Sequence, residues 1–325
     1  MNRVTTPQLL PDRRSPPSSN EPIALAPSMI AAVSRAHAFA PAATPIIIHG
    51  ESGTGKTFFA EYIHRLGQRL GSLIAFSVGM LTPQLAVDEL FGHVQGAYTD
   101  ARRMRTGIIA TAGVGTLLLD DLQNLDLGVQ KQLLQVLDRG TYSPVGSDRV
   151  QTVACRVILA MTDAPDVLMT KGLLLKDLRY RLGACAIGIP SLPERRVEIP
   201  LLAQRALQKC AEKTRLDGPT RFTDRALAVL CEGQYDGNVR QLEGSVLCAY
   251  LMARYDERAE IDVGHLPAEL VPAGQYRRHG DREANRVVVE RVLQMTGGNV
   301  SKAAQLLGVS RTTVNVTRQR PLKTS

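Results

Sequence analysis

The chain has 325 residues and a formal net charge of +8, and 44% of its residues are hydrophobic, enough for a sizeable core in two or three domains. No apolar run approaches the ~20 residues that span a bilayer, and residues 1–22, rich in Pro, Ser and Arg, have no signal-peptide core. Five scattered cysteines without a C-x-x-C pair favour buried thiols over disulfides or a metal site. We therefore expect a cytoplasmic protein that does not enter a membrane, with a disordered tail over residues 1–22.

The first predicted elements are a helix and a buried strand. The helix covers Pro27–Phe39, with Ser28 as its N-cap and Ile30 on its apolar face. The strand is the β-branched run Ile46–Ile48, a pattern typical of a parallel sheet.

The residues after this strand fit the phosphate-loop pattern G-x-x-x-x-G-K-[ST]. The glycines allow positive φ, so that backbone N–H groups turn toward phosphate oxygens. Lys56 would reach the β- and γ-phosphates, and the Thr57 hydroxyl would ligate Mg²⁺. The strand before and the helix after the pattern favour this interpretation over a chance glycine-rich turn. The predicted nucleotide-binding residues are Gly50, Glu51, Ser52, Gly53, Thr54, Gly55, Lys56 and Thr57.

Two carboxylates end a later apolar strand. Strands are predicted at Ser72–Val78 and Gly115–Leu122, and the second contains Asp120 and Asp121. At the carboxyl end of a nucleotide-binding sheet, Asp120 would hold Mg²⁺ through water and Asp121 would lie near the attacking water. The alternative is an ordinary acidic turn.

The middle of the chain alternates loops, helices and one more strand. We expect a flexible loop at Gly92–Ala101, a helix over Val129–Leu137 that Gly140 stops, a strand at Val153–Met161 and a short helix at Asp177–Leu182.

Helical segments dominate from there to a linker. The helices predicted at Ile199–Cys210, Asp224–Cys231 and Val239–Leu251 indicate an all-helical subdomain, and Val271–Asp281 has the composition of a linker.

The last fifty residues carry nearly all of the excess charge. Residues 276–325 contain ten Lys/Arg and three Asp/Glu. Helices at 282–296, 300–307 and 311–319, with a glycine turn at Gly308, match a helix-turn-helix that binds duplex DNA. A plain helical bundle is the alternative. The predicted DNA-binding residues are Ser310, which caps the third helix, and Arg311, Thr312, Thr313, Asn315 and Arg318.

In these motifs the chain resembles the sigma-54-dependent transcription activators (bacterial enhancer-binding proteins), from about Ile23 to Arg320. The shared motifs are GESGTGKT, ELFGHVQGAYTDA, GTLLLDDL, SLPERRVEIPLLA, YDGNVRQLEGSV and GGNVSKAAQLLGVSRTTV. The resemblance implies an α/β fold: an AAA+ P-loop three-layer domain with a helical lid, followed by an all-α helix-turn-helix domain, in a short form without a sensor domain. The implied ranges are 23–208 for the α/β domain, 209–270 for the lid, 271–281 for the linker and 282–325 for the Fis-type domain.

The resemblance also implies an activity and partners. In that family, Mg²⁺ and ATP turn over in a ring of subunits bound at an enhancer-like site, and a GAFTGA loop acts on sigma-54 RNA polymerase. The loop here is Gly96, Ala97, Tyr98, Thr99, Asp100 and Ala101. The implied catalytic residues are Asp121, Arg181 as a trans-acting arginine and Asp163 at the sensor position, and Arg240 matches the lid arginine that senses the γ-phosphate.

Several positions depart from that family. Asp121 replaces a glutamate, which sets the carboxylate ~1.5 Å further back, a displacement that can cost ~100-fold in rate. Ser77 replaces the switch asparagine, and a first trans-acting arginine falls at Leu175, where Arg179 or Lys176 are the candidate substitutes.

We therefore expect firm ATP binding with weak or partner-dependent hydrolysis, in a homo- or hetero-oligomeric ring. One alternative is a non-remodelling DNA-binding regulator in which nucleotide controls only oligomerisation. Another is a P-loop enzyme unrelated to transcription.

Overall fold

The computed structural model describes residues 20–79, 81–98 and 101–271, together with Leu293, residues 298–301, Ala303 and Arg311. The chain divides into two compact units. Residues 20–202 and 235–241 belong to the first, and residues 203–234 and those from 242 onward belong to the second. Two predicted segments lie outside the described residues: residues 1–19 of the tail and residues 272–281 of the linker.

The first unit contains nine strands and seven complete helices among its described residues. The strands are β1 (Ile46–His49), β2 (Leu73–Ser77), β3 (Gly92–His93), β4 (Arg105–Thr106), β5 (Thr116–Asp120), β6 (Thr141–Tyr142), β7 (Gln151–Thr152), β8 (Arg156–Met161) and β9 (Ala186–Gly188). The helices are α1 (Pro27–Phe39), α2 (Lys56–Leu66), α3 (Pro83–Phe91), α4 (Ile108–Thr111), α5 (Leu127–Arg139), α6 (Pro165–Thr170) and α7 (Lys176–Leu182).

A parallel sheet in the order β2-β5-β8-β1-β9 forms the centre of this unit. Side chains alternate across it, so one strand supplies two cores. Ile46 and Ile48 pack in a cluster with α1 and α2, whereas Ile47 packs in a second cluster with α3, α5 and α7. Helices on both faces of a parallel sheet confirm the predicted three-layer α/β fold.

The start of α1 differs from the prediction. Its bounds are as expected, but the N-cap is Ala26, which makes no side-chain cap, so the prediction of Ser28 as N-cap is wrong. Pro27 starts the helix instead, because its fixed φ suits the first helical position. Ile30 is exposed, and the buried positions are Met29, Ala32 and Ala36.

The predicted end of α5 is confirmed, and two strands are shorter than expected. Gly140 takes φ 66° at the C-cap of α5 and donates to the Val136 carbonyl. The central strands β5 and β8 begin at Thr116 and Arg156, later than the apolar runs suggest.

The second unit is mostly helical. It holds most of α8 (Ile199–Thr214) and α10 (Asn238–Tyr255), together with α9 (Asp224–Glu232). A two-stranded parallel sheet of β10 (Arg221–Phe222) and β11 (Glu260–Ile261) corrects the expectation of an all-helical subdomain. Among the described residues, no helix is both long and apolar enough to cross a bilayer.

The few described residues beyond 271 include the predicted glycine break. Gly298 has φ 82°, and its N–H donates to the Leu293 carbonyl at 2.7 Å. Glycine adopts this left-handed conformation without the steric cost that a side chain would add. Ala303 donates to the Asn299 carbonyl at 2.9 Å, as in the first turn of a following helix.

Candidate nucleotide site

The phosphate-loop residues connect β1 to α2 at the carboxyl edge of the sheet. Gly50 donates its N–H to the carbonyl of Met161, the last residue of β8, at 3.2 Å. Gly55 takes φ 101° as the N-cap of α2, and Lys56 and Thr57 form the first helical positions. The loop therefore lies where open α/β sheets bind ligands, at the positive end of a helix dipole.

Every carbonyl from Gly50 to Gly55 accepts a hydrogen bond from the protein. The donors are Lys56 Nζ to Gly50 (2.7 Å) and to Glu51 (3.1 Å), Asn238 Nδ2 to Ser52 (3.0 Å), the Arg240 N–H to Gly53 (3.2 Å), Arg195 Nη2 to Thr54 (2.7 Å) and the Phe59 N–H to Gly55 (3.0 Å). Since a trans peptide points its N–H opposite to its carbonyl, these bonds fix the direction of the loop amides.

The amides of Ser52, Gly53 and Gly55 donate to no acceptor among the described residues. Gly53 has φ 78°, and a Cβ at that position would lie 2.2 Å from the Gly237 carbonyl oxygen. Only glycine fits there, because both the conformation and the close backbone approach exclude a side chain. The loop is thus a nest of inward N–H groups, the donor set that suits a phosphate.

Lys56 is the cation at the centre of the loop and is only 9% exposed. Burial lowers the pKa of its ammonium group; the charges of Asp120 and Asp121 oppose that shift, while Arg240 adds to it. That these residues form one site with Lys56 stays a prediction.

Residues 237–240 belong to the first unit and contact the loop. Arg240 Nη1 donates to Ser52 Oγ at 3.2 Å. Asn238 has φ 53° and is fully buried; it also donates Nδ2 to Glu51 Oε2 at 3.0 Å and accepts from the Leu192 N–H at 2.7 Å. Sequence reasoning identified Arg240 and missed Asn238, whose neighbours Gly237 and Val239 are equally consistent with a plain helix start.

The acidic pair ends β5, with Ser77 opposite Asp120 on the neighbouring strand. Asp121 takes φ 61° and ψ 38°, a left-handed conformation that aspartate adopts more readily than glutamate. Its carboxylate accepts from Ser77 Oγ and from Gln123 Nε2, each at 3.3 Å. Asp120 Oδ1 accepts from the Asp121 N–H at 2.9 Å.

Asp163 follows β8, and its carboxylate contacts Lys171, the C-cap residue of α6. Its carboxylate lies 3.2 Å from Lys171 Nζ and 3.3 Å from Thr162 Oγ1. Gln123, which sequence reasoning missed, links the two strand ends, because its Oε1 accepts from the Thr162 N–H while its Nε2 donates to Asp121. No local sequence signal distinguishes this glutamine from a surface residue.

The arginines of α7 are held in ion pairs. Arg181 Nε lies 2.6 Å from Asp138 Oδ1 at the end of α5, and its side chain is 61% exposed. Arg179 makes two bonds to Asp166, at 2.6 Å and 3.0 Å, and its guanidinium lies 5.6 Å from the Tyr180 ring centre. Lys176 lies 6.0 Å from the same ring. No contact joins Arg181 to the phosphate loop among the described residues.

The described residues of the Gly96–Ala101 loop, Gly96–Tyr98 and Ala101, take part in a hydrogen-bonded hairpin. The loop joins the antiparallel strands β3 and β4, and Gly96 donates to the Ala101 carbonyl at 2.8 Å. The Tyr98 hydroxyl lies 3.4 Å from Nδ1 of His93, and the two rings meet edge to face at 5.0 Å. Ala97 precedes Tyr98 in this turn; Thr99 and Asp100 lie outside the described residues.

Of the predicted DNA-binding residues, the structure describes only Arg311, which is helical and exposed. Ser310, Thr312, Thr313, Asn315 and Arg318 lie outside the described residues.

Three family models match consecutive parts of the chain. Residues 23–188 match the Sigma-54 interaction domain, residues 193–283 the AAA+ ATPase lid domain, and residues 282–315 the bacterial regulatory protein, Fis family.

Similar proteins cover most of the chain. The transcriptional regulatory protein ZraR of Escherichia coli strain K12 is 34% identical over 292 residues, which are 89% of this chain and 66% of ZraR. GlrR of the same strain is 34% identical over 295 residues, 88% of this chain and 64% of GlrR. This chain thus spans just under two thirds of these relatives. Among solved structures, NtrX from Brucella abortus in complex with ATP has a TM-score of 0.67 at 26% identity, over 91% of this chain and 68% of NtrX.

Proposed function

This chain belongs to the sigma-54 interaction domain family, and from that premise we propose that it is an ATP-binding, DNA-binding transcription regulator. In this proposal, ATP binding and hydrolysis in a ring of subunits act on sigma-54 RNA polymerase to open promoter DNA. The observation that carries it is the phosphate loop: protein groups bond all its carbonyls, and the Ser52, Gly53 and Gly55 amides, which have no acceptor among the described residues, would bind a phosphate.

The residues at the site fit ATP and Mg²⁺. Lys56 and the loop amides would hold the phosphates, with Arg240 beside Ser52. The Thr57 hydroxyl and the Asp120 carboxylate are oxygen donors of the kind that Mg²⁺ prefers. When bound, Mg²⁺ would neutralise charge on the phosphate oxygens during transfer. NtrX, whose structure includes ATP, has the same fold.

In the proposed reaction, Asp121 orients the attacking water and Asp163 lies near the γ-phosphate. Arg181 acts from a neighbouring subunit; its largely exposed side chain supports this role, and it would have to leave its ion pair with Asp138 to reach the neighbour. ATPase rate measured against protein concentration tests this shared site. We expect cooperative concentration dependence that Arg181→Ala abolishes and that Arg225→Ala, an exposed control, preserves. A rate that rises only in proportion to protein would contradict the ring.

The contact with DNA and polymerase is proposed for two further regions. Residues 310–318 would bind duplex DNA and Gly96–Ala101 would contact sigma-54. Binding of the full chain to promoter DNA should weaken steeply with salt and with Arg311→Ala. Binding that ignores both would instead favour a P-loop enzyme unrelated to transcription.

A specific observation favours a second candidate, a regulator that binds DNA without remodelling. Asp121 carries a short side chain in a left-handed conformation, and its two contacts are long, at 3.3 Å each. In this reading nucleotide only controls oligomerisation. Promoter output after Asp100→Gly and Asp121→Glu separates the candidates, because a remodelling protein should gain output and a non-remodelling one should not change.

Phosphate release that rises with an added paralogue would favour a mixed ring.

A further inference from the structure

Two buried charged residues outside the predicted site connect the phosphate loop to the segment that leads into α1. Arg195 is 3% exposed and Glu198 is fully buried, both on the 3₁₀ turns of Leu192–Glu198. Arg and Glu side chains are almost never fully buried unless they are paired. Neither takes part in the proposed chemistry.

Arg195 contacts the loop directly. Its Nη2 donates to the Thr54 carbonyl at 2.7 Å, and this carbonyl shares a peptide plane with the Gly55 N–H. Arg195 itself has φ −132° and ψ 39° within the turns, which breaks the regular path of the backbone at this residue. The bond holds the Thr54 carbonyl outward and so directs the Gly55 N–H toward the phosphate position.

Glu198 contacts the leading segment, which we define as Ile23–Ala26. One of its oxygens, Oε1, accepts from the N–H groups of Leu25 and Ala26 at 2.9 Å and 3.1 Å. The other, Oε2, lies 3.5 Å from Arg195 Nη1 and accepts no hydrogen bond from the described residues. The carboxylate thus fixes the start of α1 and faces the guanidinium.

We propose that Arg195 is a positioning residue for the phosphate loop, and that Glu198 couples it to the leading segment. This inference rests on the proposed nucleotide binding. A displacement of Leu25 and Ala26 reaches the Gly55 amide through two side chains, so the position of the leading segment sets ATP affinity. By reciprocity, bound ATP holds the leading segment more firmly.

The test uses the full chain and calorimetric titration with ATP and magnesium. Removal of one charged partner alone leaves the other buried and unpaired, which can unfold the protein, so the principal variant replaces both, as Arg195→Met with Glu198→Leu. We expect about tenfold weaker ATP binding, the loss of one charge-assisted hydrogen bond, in a folded protein whose melting temperature is lowered because the Leu25 and Ala26 N–H groups lose their acceptor. Arg196→Gln, an exposed neighbour on the same turns, should leave affinity unchanged.

The variant Arg195→Lys tests whether ATP affinity depends on the hydrogen bond that orients the Thr54 carbonyl or only on the positive charge at this position. It keeps the positive charge but loses the planar fork that reaches Thr54 and Glu198 together. Weakening close to that of the double variant supports positioning, and native affinity overturns it.

Hydrogen exchange distinguishes coupling from a purely structural role, because a structural role alone would not make the exchange rates of Leu25 and Ala26 depend on ATP. In the unmodified protein, ATP should slow exchange at the amides of Leu25 and Ala26, and in the double variant it should not. Equal slowing in both proteins overturns the coupling. If the double variant binds ATP with native affinity, only this inference is overturned. If the unmodified protein binds no ATP, the proposed function itself is refuted.

Discussion

The phosphate loop and the acidic pair lie at the same edge of one sheet and are held in different ways. All six carbonyls of Gly50–Gly55 accept protein hydrogen bonds, the shortest at 2.7 Å. The Asp121 carboxylate accepts two side-chain bonds, both at 3.3 Å, from a left-handed residue. The residues proposed to bind nucleotide are thus held by more and shorter hydrogen bonds than the carboxylate proposed for hydrolysis.

The difference follows from the groups involved. The carbonyls of Ser52, Gly53, Thr54 and Gly55 are bonded by backbone N–H groups or by buried side chains, and these partners restrict the conformation of that part of the loop. A carboxylate on a short side chain can keep only the bonds that its own backbone position allows. We expect substitutions in the loop to change ATP affinity and substitutions around Asp121 to change the rate alone.

The largest expected effect is on the binding side. Lys56→Ala removes the buried cation and two carbonyl bonds, so ATP affinity should fall by about 100-fold or more. Titration with a fluorescent ATP analogue measures it, with exposed Lys131→Ala as the matched control. If Lys56→Ala binds ATP with full affinity, the phosphate loop is not what determines ATP binding.

The next largest effect is on the rate. Asp121→Glu moves the carboxylate ~1.5 Å forward and should raise single-turnover hydrolysis by about 10- to 100-fold, with ATP affinity within about twofold of native. Glutamate fits the left-handed conformation less well, so a small loss of melting temperature should accompany the gain. A rate that stays low would show that side-chain length is not what limits hydrolysis.

Gln123→Glu tests the support of Asp121. The variant keeps an acceptor for the Thr162 N–H but loses the donor to Asp121 and places a second carboxylate beside it. We expect about tenfold slower hydrolysis with native ATP affinity. Gln132→Glu, on the exposed face of α5, controls for the added charge, and an equal loss in both would contradict a local effect.

The smallest effect is one of pH. Burial lowers the pKa of Lys56, so as pH rises its ammonium loses the proton before an exposed lysine would. ATP affinity should therefore fall by a few-fold as pH rises, and the fall should begin at a lower pH than the usual lysine range near pH 10.4 would give. Lys56→Arg should bind with little pH dependence over the same range. An identical slope in both proteins would assign the effect to another group.

Much of the fold could be predicted from local pattern. The bounds of α1 and the stop of α5 at Gly140 agree with the sequence, because helix signals are carried by residues a few positions apart. The cap of α1 was mispredicted, since Pro27 and Ser28 offer competing start signals. The short strands β10 and β11 carry two residues each, too few for any periodicity to show.

The sequence alone determined the phosphate loop, the acidic pair and four of the five strands of the sheet, because each is written in consecutive residues; the edge strand β9, of three residues, was not predicted. Only the tertiary structure decided what holds them. The donor to Thr54 is Arg195, 141 positions along the chain, and the donor to Ser52 is Asn238, 186 positions away. In the sequence, Glu194–Arg196 is a run of three charged residues, a pattern typical of an exposed turn. Arg195 is buried and its neighbour Arg196 is exposed because the fold brings the Thr54 carbonyl of the phosphate loop to Arg195 alone.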